Sequence, residues 1–357
     1  MDWFSIYLKF WREAEFFADI ELESSPGVKS YAWLSKANRK NRLGLPYRAI
    51  GYNASLSNEN ESMTLEYNGF APGLVAESNP SNEDHLANPQ VCDLLLTELR
   101  KVARDGLEWD EIVFNALNEN QFKAIEAAAK NLNLICYTAA QSLTYSVDLE
   151  QIRKNFGDDF FKFLSANSRQ QFRKAMRDCE RDLGELNFST TQTSEESLHL
   201  LKELATHHNL RWNPDGLIMG FGNPRFVEFY KSLTDSLTIR KELRIQKLMA
   251  GQTLLAIMFN VTYFGKVYFA IGAVNYEGTS KYKPGILGHL KSIEFALKAG
   301  DSTYDFMAGT TQYKQSLSST QSLMQSLIVR RKRLDFVIED RLRRIKRGFK
   351  GKEPTKV

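Results

Sequence analysis

The sequence predicts an α/β (α+β) chain in two halves, each with a mixed, mostly antiparallel sheet flanked by helices. The length of 357 residues suits two domains of roughly 150 residues each. A content of 43% hydrophobic and 25% charged residues is typical of a globular protein and excludes collagen-like, disordered and disulfide-scaffold classes. The patterning alternates strand and helix in the first half and places three strands, a helix and a strand in the second.

Neither a membrane span nor a secretory signal is predicted. No apolar run approaches the roughly 20 residues that cross a bilayer, and Met1–Phe4 lacks the basic start of a signal peptide. Three widely spaced cysteines, Cys92, Cys136 and Cys179, indicate reduced thiols and a cytoplasmic protein. Paired-cysteine metal sites are excluded, and no metal is expected.

The net charge of +4 is unevenly distributed. From Arg330 onward there are twelve Lys/Arg and four Asp/Glu, a balance of +8, which leaves 35 basic and 39 acidic residues in 1–329. A nucleic-acid-binding body should carry a basic face. The mildly acidic body therefore argues against a nucleic-acid partner.

The first half predicts alternating elements. Aromatic residues within 3–11 recur near helical spacing and predict a helix packed on the body, with an interfacial helix as the alternative. Residues 36–45 are interpreted as a basic, polar connection, and residues 78–90 as a loop. Strands are predicted over 47–52, 63–67, 111–117 and 134–147, and helices over 89–103 and 121–130.

The second half predicts a meander followed by a helix and a strand. Ser168 is interpreted as the N-cap of one helix, and a second helix is predicted over 195–208. Turns at Ala250-Gly251 and Phe264-Gly265 separate predicted antiparallel strands. Pro284 opens the next helix. The predicted strands are 243–249, 253–263, 267–274 and 303–307.

These patterns predict a domain boundary between about 148 and 165. We expect an N-terminal half over 1–155, a C-terminal half over 156–329 and a basic amphipathic tail over 330–357. In the tail, apolar residues at helical spacing alternate with arginines. Peripheral contact with an anionic membrane through 330–352 and packing on a neighbouring element or subunit stay equally open, with RNA as a weaker third interpretation.

The loop at 275–290 is the most informative segment. Gly278 and Gly285 leave backbone N–H groups accessible near a helix N-terminus, which favours an anion such as a cofactor pyrophosphate. Lys281 and Lys283 add positive charge. The alternative interpretation is a plain loop that reverses the chain direction.

Several motifs form a connected signature: Gly272–Tyr276, Lys283–His289, Tyr304–Gly309 followed by Tyr313-Lys314, and the H-x-x-R-W element His208–Trp212. A further motif is Glu66–Phe70. Together they resemble the GNAT-superfamily acyltransferases of cellulose and exopolysaccharide biosynthesis, the CelD-like or BioF2-like group, and more distantly the Fem peptidyltransferases. The resemblance covers most of 47–320.

This resemblance implies two GNAT-like halves and acetyl-CoA or another acyl-CoA as co-substrate. The donor would lie in a splay between strands 267–274 and 303–307, with its pyrophosphate on the cradle formed by Lys283, Pro284, Gly285, Ile286, Leu287 and Gly288. The usual GNAT cradle reads Q/R-x-x-G-x-G/A. Here Tyr282 holds its first position and Leu287 its last, which puts CoA binding in doubt.

Three residues are candidates for catalysis. Asp305 or His289 would deprotonate the attacking acceptor, and the resemblance implies that Tyr313 protonates the leaving thiolate. For Asp305 the alternative is a hydrogen-bond acceptor that braces the Gly309 loop, and for His289 it is a packing histidine whose hydrogen bonds are satisfied.

Four residues are candidates for substrate binding. His208, Arg211 and Trp212 combine a histidine, a cation and an aromatic plane, which would hold an anionic or sugar-bearing acceptor. Lys314 would contact a phosphate. The alternatives are a helix-end histidine beside terminal carbonyls, and simple packing or surface exposure for Lys314.

The sequence thus predicts an acyl-CoA-dependent N- or O-acyltransferase that acts by direct transfer on a sugar- or polysaccharide-related acceptor. Two alternatives stay open. One is a Fem-like transferase that uses aminoacyl-tRNA, which is the case in which a nucleic acid would be a partner. The other is a non-catalytic scaffold in polysaccharide assembly.

Overall fold

The computed structural model describes residues 16–25, 28–52, 56, 71–72, 89–102, 109–212 and 220–349. Contacts between residues divide the chain into two compact units. Residues 144–321 form the central unit, and residues 16–143 together with 322–349 form the split unit. The sequence-based boundaries at 155 and 329 stay a prediction, because here the division falls inside two strands, 135–148 and 320–330.

In chain order the strands are β1 (Phe16–Ser25), β2 (Val28–Lys40), β3 (Pro46–Tyr52), β4 (Ala71–Pro72), β5 (Glu111–Leu117), β6 (Ile135–Asp148), β7 (Leu186–Thr190), β8 (Leu243–Ala250), β9 (Thr253–Tyr263), β10 (Lys266–Val274), β11 (Thr303–Ala308) and β12 (Thr320–Arg330). The helices are α1 (Pro89–Val102), α2 (Glu119–Asn131), α3 (Leu149–Phe156), α4 (Phe160–Phe163), α5 (Ala166–Leu183), α6 (Ser194–Trp212), α7 (Pro224–Ile239), α8 (Pro284–Lys298), α9 (Gln312–Leu317) and α10 (Leu334–Phe349). Short 3-10 helices cover Gly220–Gly222 and Ser280–Tyr282.

The described strands of the split unit form a sheet in the order β1-β2-β3-β5-β12, with β4 on β2. All its strand pairs are antiparallel except β3 with β5. Helix α2 is secured by a capping box, in which Asn118 and Gln121 each bind the other's backbone amide. An apolar core lies between sheet and helices and includes Leu34, Ile50, Phe114, Ile125 and Leu327.

A buried ionic cluster attaches α10 to the split unit. Arg330 donates to Glu111 at 2.7 Å and to Glu339 at 2.6 Å, and all three side chains are at most 7% exposed. Phe336, fully buried, lies under the Arg330 guanidinium at 4.3 Å. The helix therefore packs on its own unit, one of the interpretations left open for the tail.

The central unit has the strand order β6-β11-β10-β9-β8-β7, all antiparallel except β10 with β11. Of strand β6, the part from Thr144 onward belongs to this unit. Phe264 and Gly265 both have positive φ, as a two-residue hairpin between β9 and β10 requires. Gly251 lies in the turn between β8 and β9. A Cβ there would lie 2.2 Å from the Leu183 carbonyl oxygen, so only glycine fits.

The sequence predicted the meander and the helix at Pro284 to within a residue or two, and both are confirmed. Two expectations were wrong. Residues 36–40 belong to strand β2 and not to a connection, because exposed and half-buried residues alternate along them. The cap of α5 is Ser165, which accepts from the Ser168 amide. The elements that were not predicted are strands β1, β2, β4, β7 and β12 and helices α3, α4, α7 and α9.

Other expectations lie outside the described residues, namely the helix over 3–11, the strand over 63–67 and the motif Glu66–Phe70. None of the helices in the described part of the chain has the length and hydropathy that a membrane crossing needs. Among the same residues, no group of three or more His, Cys, Asp or Glu side chains is placed to hold a metal ion.

The ionic cluster predicts the effect of an Arg330→Met substitution. Removing the guanidinium leaves two buried carboxylates without their shared cation, which costs about 3–5 kcal/mol. We expect urea denaturation to show a loss of that size. Arg341→Met, at an exposed position of the same helix, should change stability by less than about 0.5 kcal/mol. Equal effects of the two substitutions would contradict a structural role for the cluster.

Candidate functional site

The two parallel strands of the central unit separate part of the way along. β10 and β11 pair only from Lys266–Thr303 to Tyr268–Asp305. Beyond that point β10 stays with β9 as far as Val274, after a bulge between Phe269 and Ile271, while β11 stays with β6 as far as Ala308. A splay therefore opens after Tyr268 and Asp305, and diverging strand edges present backbone N–H and C=O groups to the gap.

Helix α8 begins directly beside the end of β10. A Cβ placed on Gly285 would lie 3.2 Å from Val274 Cγ2 and 3.7 Å from the Tyr276 hydroxyl. The amides of Ile286 and Leu287 both donate to the Lys283 carbonyl, at 3.0 and 3.1 Å. Within the described residues the Gly285 amide has no acceptor, so it is the amide at this helix start that can bind an anion.

The remaining cradle residues serve packing. Pro284, Leu287 and Gly288 are buried and Ile286 is half-buried. A Cβ on Gly288 would lie 3.0 Å from the sulfur of Met258, so a side chain there would push α8 away from β9. Only part of the predicted cradle therefore faces a ligand.

The loop before α8 is fastened to α5. The Tyr282 hydroxyl and the Lys281 ammonium both donate to Asp182, at 2.8 and 3.0 Å. Hydrogen bonds from Arg181, Lys281 and Tyr282 lower the pKa of Asp182. The Asp182 carboxylate therefore stays ionised and pairs with Lys281. Lys283 instead donates to the neutral amide of Gln171 at 2.9 Å. Among the described residues, the Lys283 ammonium forms no ion pair with a carboxylate.

His289 lies in an aromatic box. Its ring stacks on Tyr313 at 5.0 Å between centroids and meets Phe269 and Phe306 edge-on at 4.5 and 5.1 Å. Nδ1 is 3.0 Å from the Tyr304 hydroxyl. Burial, and secondarily the charge of Lys314, lower the pKa of His289 to about 3. The imidazole is thus neutral at physiological pH and is a weak proton acceptor.

Asp305 and Lys314 brace the turn after β11. Asp305 accepts from the Met307 amide at 2.6 Å, and Met307 has a φ of 61°, a left-handed conformation that costs about 1–2 kcal/mol. The Lys314 ammonium donates to the Ala308 and Met307 carbonyls at 2.6 and 3.2 Å. Lys314 is 7% exposed, so its ammonium serves the turn and not the surface.

Arg211 connects the H-x-x-R-W element to the cradle. Its guanidinium lies 4.4 Å above the Tyr276 ring and 5.1 Å from that of Trp212. Burial raises the pKa of Tyr313, and the charges of Tyr276 and Arg211 also act on it. Arg211, Tyr276 and Tyr313 are therefore close enough to interact electrostatically.

His208 points elsewhere. A Cβ on Gly220 would lie 3.0 Å from His208 Cε1, and the Phe221 ring meets the imidazole edge-on at 5.4 Å. Burial, with a smaller effect of Arg211, lowers the pKa of His208. Trp212 is 57% exposed and leaves an aromatic face open to solvent.

The central unit thus brings together most residues that the sequence selected. Tyr276 was not selected as a site residue, although it joins the Arg211 guanidinium to Gly285. Its place in the Gly272–Tyr276 motif, at the start of the anion-binding loop, was the signal that could have identified it. Chemically, the region combines a helix-start amide that has no acceptor among the described residues, a carboxylate at the splay, a phenol and a neutral imidazole.

Residues 166–315 match a family model described as Acetyltransferase (GNAT) domain. A search of the curated proteins gives no match.

Solved structures resemble the chain over most of its length. FemX has a TM-score of 0.56 at 10% identity, over 90% of each chain. A conserved protein of unknown function from Bacteroides thetaiotaomicron VPI-5482 has a TM-score of 0.52 at 12% identity, over 93% of this chain and 91% of that one. L-PGS from Bacillus licheniformis has a TM-score of 0.50 at 13% identity, over 95% of each chain. At these identities the likeness concerns the fold.

The depressed pKa of His289 predicts a specific loss of stability in acid. Its folded-state pKa of about 3 lies below the unfolded value of roughly 6.5. The neutral imidazole contributes its full share of the folding stability at pH values above the unfolded-state pKa. This share declines as the pH falls toward the folded-state pKa, because the unfolded state binds the proton first. Between pH 7 and pH 5 we expect wild type to lose roughly 2 kcal/mol more than His289→Gln in urea denaturation. His199→Gln, at an exposed position, should follow wild type; a His289→Gln curve parallel to wild type would refute the prediction.

Proposed function

We propose that this transferase, whose GNAT-type acetyltransferase domain spans residues 166–315, moves an acyl group from acetyl-CoA or another acyl-CoA directly to an amine or hydroxyl. The acceptor is proposed to be related to a sugar or polysaccharide, on the motif resemblance to the CelD-like or BioF2-like group. The matched domain favours an enzyme over the non-catalytic scaffold.

The separation of β10 and β11 beside the start of α8 carries this proposal. Backbone N–H groups at a diverging strand edge can polarise a thioester carbonyl as its oxygen gains charge during attack. The Gly285 amide, which lies beside Val274 at the end of β10, and the Lys283 ammonium can hold a phosphate of the same donor. The splay and the start of α8 thus offer groups for both the thioester and a phosphate of one acyl-CoA.

The cradle residues fit a phosphate, with fewer donors than a glycine-rich loop offers. Pro284 has no amide hydrogen, and two further amides are used by the Lys283 carbonyl. What remains is the Gly285 amide, where an added Cβ would lie 3.2 Å from Val274 Cγ2, and the cation of Lys283. Lys283 and Gly285 are therefore the proposed donor-binding residues, and the other four shape the helix start.

The proposed reaction needs one proton acceptor and one proton donor. The nitrogen or oxygen of the acceptor attacks the thioester carbon, its proton passes to Asp305, and the carbon–sulfur bond breaks. The leaving thiolate takes its proton from Tyr313, whose raised pKa keeps the phenol protonated at neutral pH. His289 is too weak a base for the proton transfer and is assigned to positioning. Lys314 supports Asp305 through the shared turn.

Arg211 and Trp212 are the proposed acceptor-binding residues. Both are exposed, and an indole face with a neighbouring guanidinium suits a sugar ring that carries an anionic group. His208 packs behind them and is proposed to orient this end of α6.

Aminoacyl-tRNA is the second candidate donor. The likeness to FemX over 90% of both chains favours it, since Fem enzymes use such donors. Residues 341–352 include seven Lys/Arg and no Asp/Glu. Such a concentration of positive charge suits contact with the phosphates of an RNA backbone.

We also propose that the protein is cytoplasmic and that it contacts a membrane peripherally through 330–352. The inner face of α10 is fixed by buried Phe336 and Glu339. On its outer face Leu334, Ile338 and Leu342 are 84%, 48% and 50% exposed and four residues apart, so they form one apolar stripe. With the basic residues of 341–352, this stripe suits an anionic lipid surface.

Thermal unfolding with candidate donors tests the donor class. A ligand at about 100 times its Kd stabilises by roughly 2.7 kcal/mol, so we expect acetyl-CoA or a longer acyl-CoA to raise Tm. Gly285→Leu should abolish the rise and Lys283→Ala should reduce it, whereas Lys281→Ala, whose ammonium already pairs with Asp182, should preserve it. A rise with aminoacyl-tRNA and none with any acyl-CoA would replace the first donor by the second.

Replacing Asp305 by Asn tests the proton acceptor. An amide oxygen still accepts from the Met307 amide, so the turn should keep its shape, while the basic carboxylate is gone. We expect kcat to fall by about 10²-fold or more with the Kd for the donor unchanged. Unchanged turnover would remove Asp305 from the mechanism.

Vesicle co-sedimentation tests the membrane contact. The protein should sediment with vesicles of equal parts phosphatidylglycerol and phosphatidylcholine, and not with phosphatidylcholine alone. Ile338→Ser should weaken binding about tenfold, because burial of such a side chain is worth about 1.5–3 kcal/mol. Ile239→Ser, at another exposed isoleucine, should have no effect. Binding that ignores lipid charge or Ile338 would exclude this surface.

A further inference from the structure

A line of buried side-chain hydrogen bonds leads from His289 across the sheet of the central unit. His289 Nδ1 lies 3.0 Å from the Tyr304 hydroxyl, which donates to Asn260 Oδ1 at 3.5 Å. Asn260 Nδ2 donates to Gln246 Oε1 at 2.8 Å, and Gln246 Nε2 donates to Thr190 Oγ1 at 3.3 Å. We call these five side chains the amide relay.

The relay lies where apolar side chains would be expected. Tyr304 and Asn260 are fully buried and Gln246 is 1% exposed. Leaving a buried polar group unpaired costs about 1–3 kcal/mol, so each amide needs partners for both its nitrogen and its oxygen. In the orientation that the structure gives them, both nitrogen and both oxygen atoms of the two amides have a partner.

The orientation of Asn260 determines where the hydrogens lie. Because its Nδ2 donates to Gln246, the atom that faces Tyr304 is a carbonyl oxygen, which can only accept. Tyr304 must give its single proton to that oxygen. The Tyr304 oxygen can then only accept from His289, so Nδ1 of His289 must carry a hydrogen.

We propose that Asn260 and Gln246, acting through Tyr304, hold His289 as the Nδ1–H tautomer and leave Nε2 as a hydrogen-bond acceptor for an attacking amine. The last step rests on the proposed function; the tautomer does not. The ring is neutral because burial lowers the pKa of His289 to about 3, so Nε2 keeps its lone pair across the physiological range. Asn260, Gln246 and Tyr304 are thus positioning residues.

A tautomer locked in this way has a use in acyl transfer. A neutral Nε2 accepts a hydrogen bond from one N–H of an amine nucleophile, which leaves another hydrogen of the amine to pass to Asp305. The stacked Tyr313 ring, 5.0 Å from the imidazole, keeps the ring plane fixed. The relay would then set the direction from which the nucleophile approaches the splay.

The experiment is ¹⁵N NMR of the full chain labelled at histidine. The chain has five histidines, and a His289→Gln sample identifies the signals of residue 289. At neutral pH we expect a protonated Nδ1 and an unprotonated Nε2. Asn260→Leu removes the acceptor for Tyr304 and lets the phenol donate to the imidazole, so the His289 signals should move toward the Nε2–H tautomer. Gln246→Glu keeps an oxygen for Asn260 Nδ2 and should preserve the wild-type tautomer.

A wild-type His289 that is Nε2–H, or an Asn260→Leu tautomer unchanged from wild type, would overturn the relay whatever the reaction is. Should Asn260→Leu fail to fold, the wild-type spectrum and that of Tyr304→Phe, which should lose the tautomer preference, decide the same point. Kinetics test the second step separately: Asn260→Leu should lower kcat about tenfold with KM for the donor unchanged. If the tautomer behaves as expected and no acyl transfer is found, the proposed function fails and the relay stands.

Discussion

The early end of the pairing between β10 and β11 is the constraint on which the central unit depends. Parallel strands that begin in register normally continue together, since each added pair satisfies two backbone groups. Here the bulge after Phe269 and the left-handed Met307 turn the two strands apart after Tyr268 and Asp305. Each strand remains paired on its other side, so the sheet stays intact while a gap opens within it.

The strain at Met307 is offset by charges. Asp305 binds its amide and Lys314 its carbonyl, so a carboxylate and an ammonium are held at the mouth of the gap for a structural reason. An unusual backbone conformation that the surroundings over-determine is common at functional sites. The residues proposed for chemistry therefore also maintain the shape of the gap.

Burial gives the aromatic side chains and His289 their electrostatic character. An imidazole surrounded by four aromatic rings cannot hold a proton near neutral pH, and a half-buried phenol resists losing one. The same burial makes unpaired amides costly, and the nitrogen and oxygen atoms of Asn260 and Gln246 are accordingly all hydrogen-bonded. One physical cause thus accounts for the protonated phenol of Tyr313 and the neutral imidazole of His289, which suit the roles proposed for them.

The sequence by itself determined the local elements of the central unit. Turn residues at Gly251 and Gly265, the proline at 284 and the strand periodicity around them act within a few residues, so the meander and α8 could be predicted. Tertiary structure decided the partners. The buried Lys314 ammonium holds the turn after β11. Lys283 donates to the neutral Gln171 amide, whereas Lys281 pairs with Asp182. The Tyr276 ring contacts the Arg211 guanidinium. These outcomes depend on burial and on contacts between residues far apart in the chain, and local patterns contain no information about either.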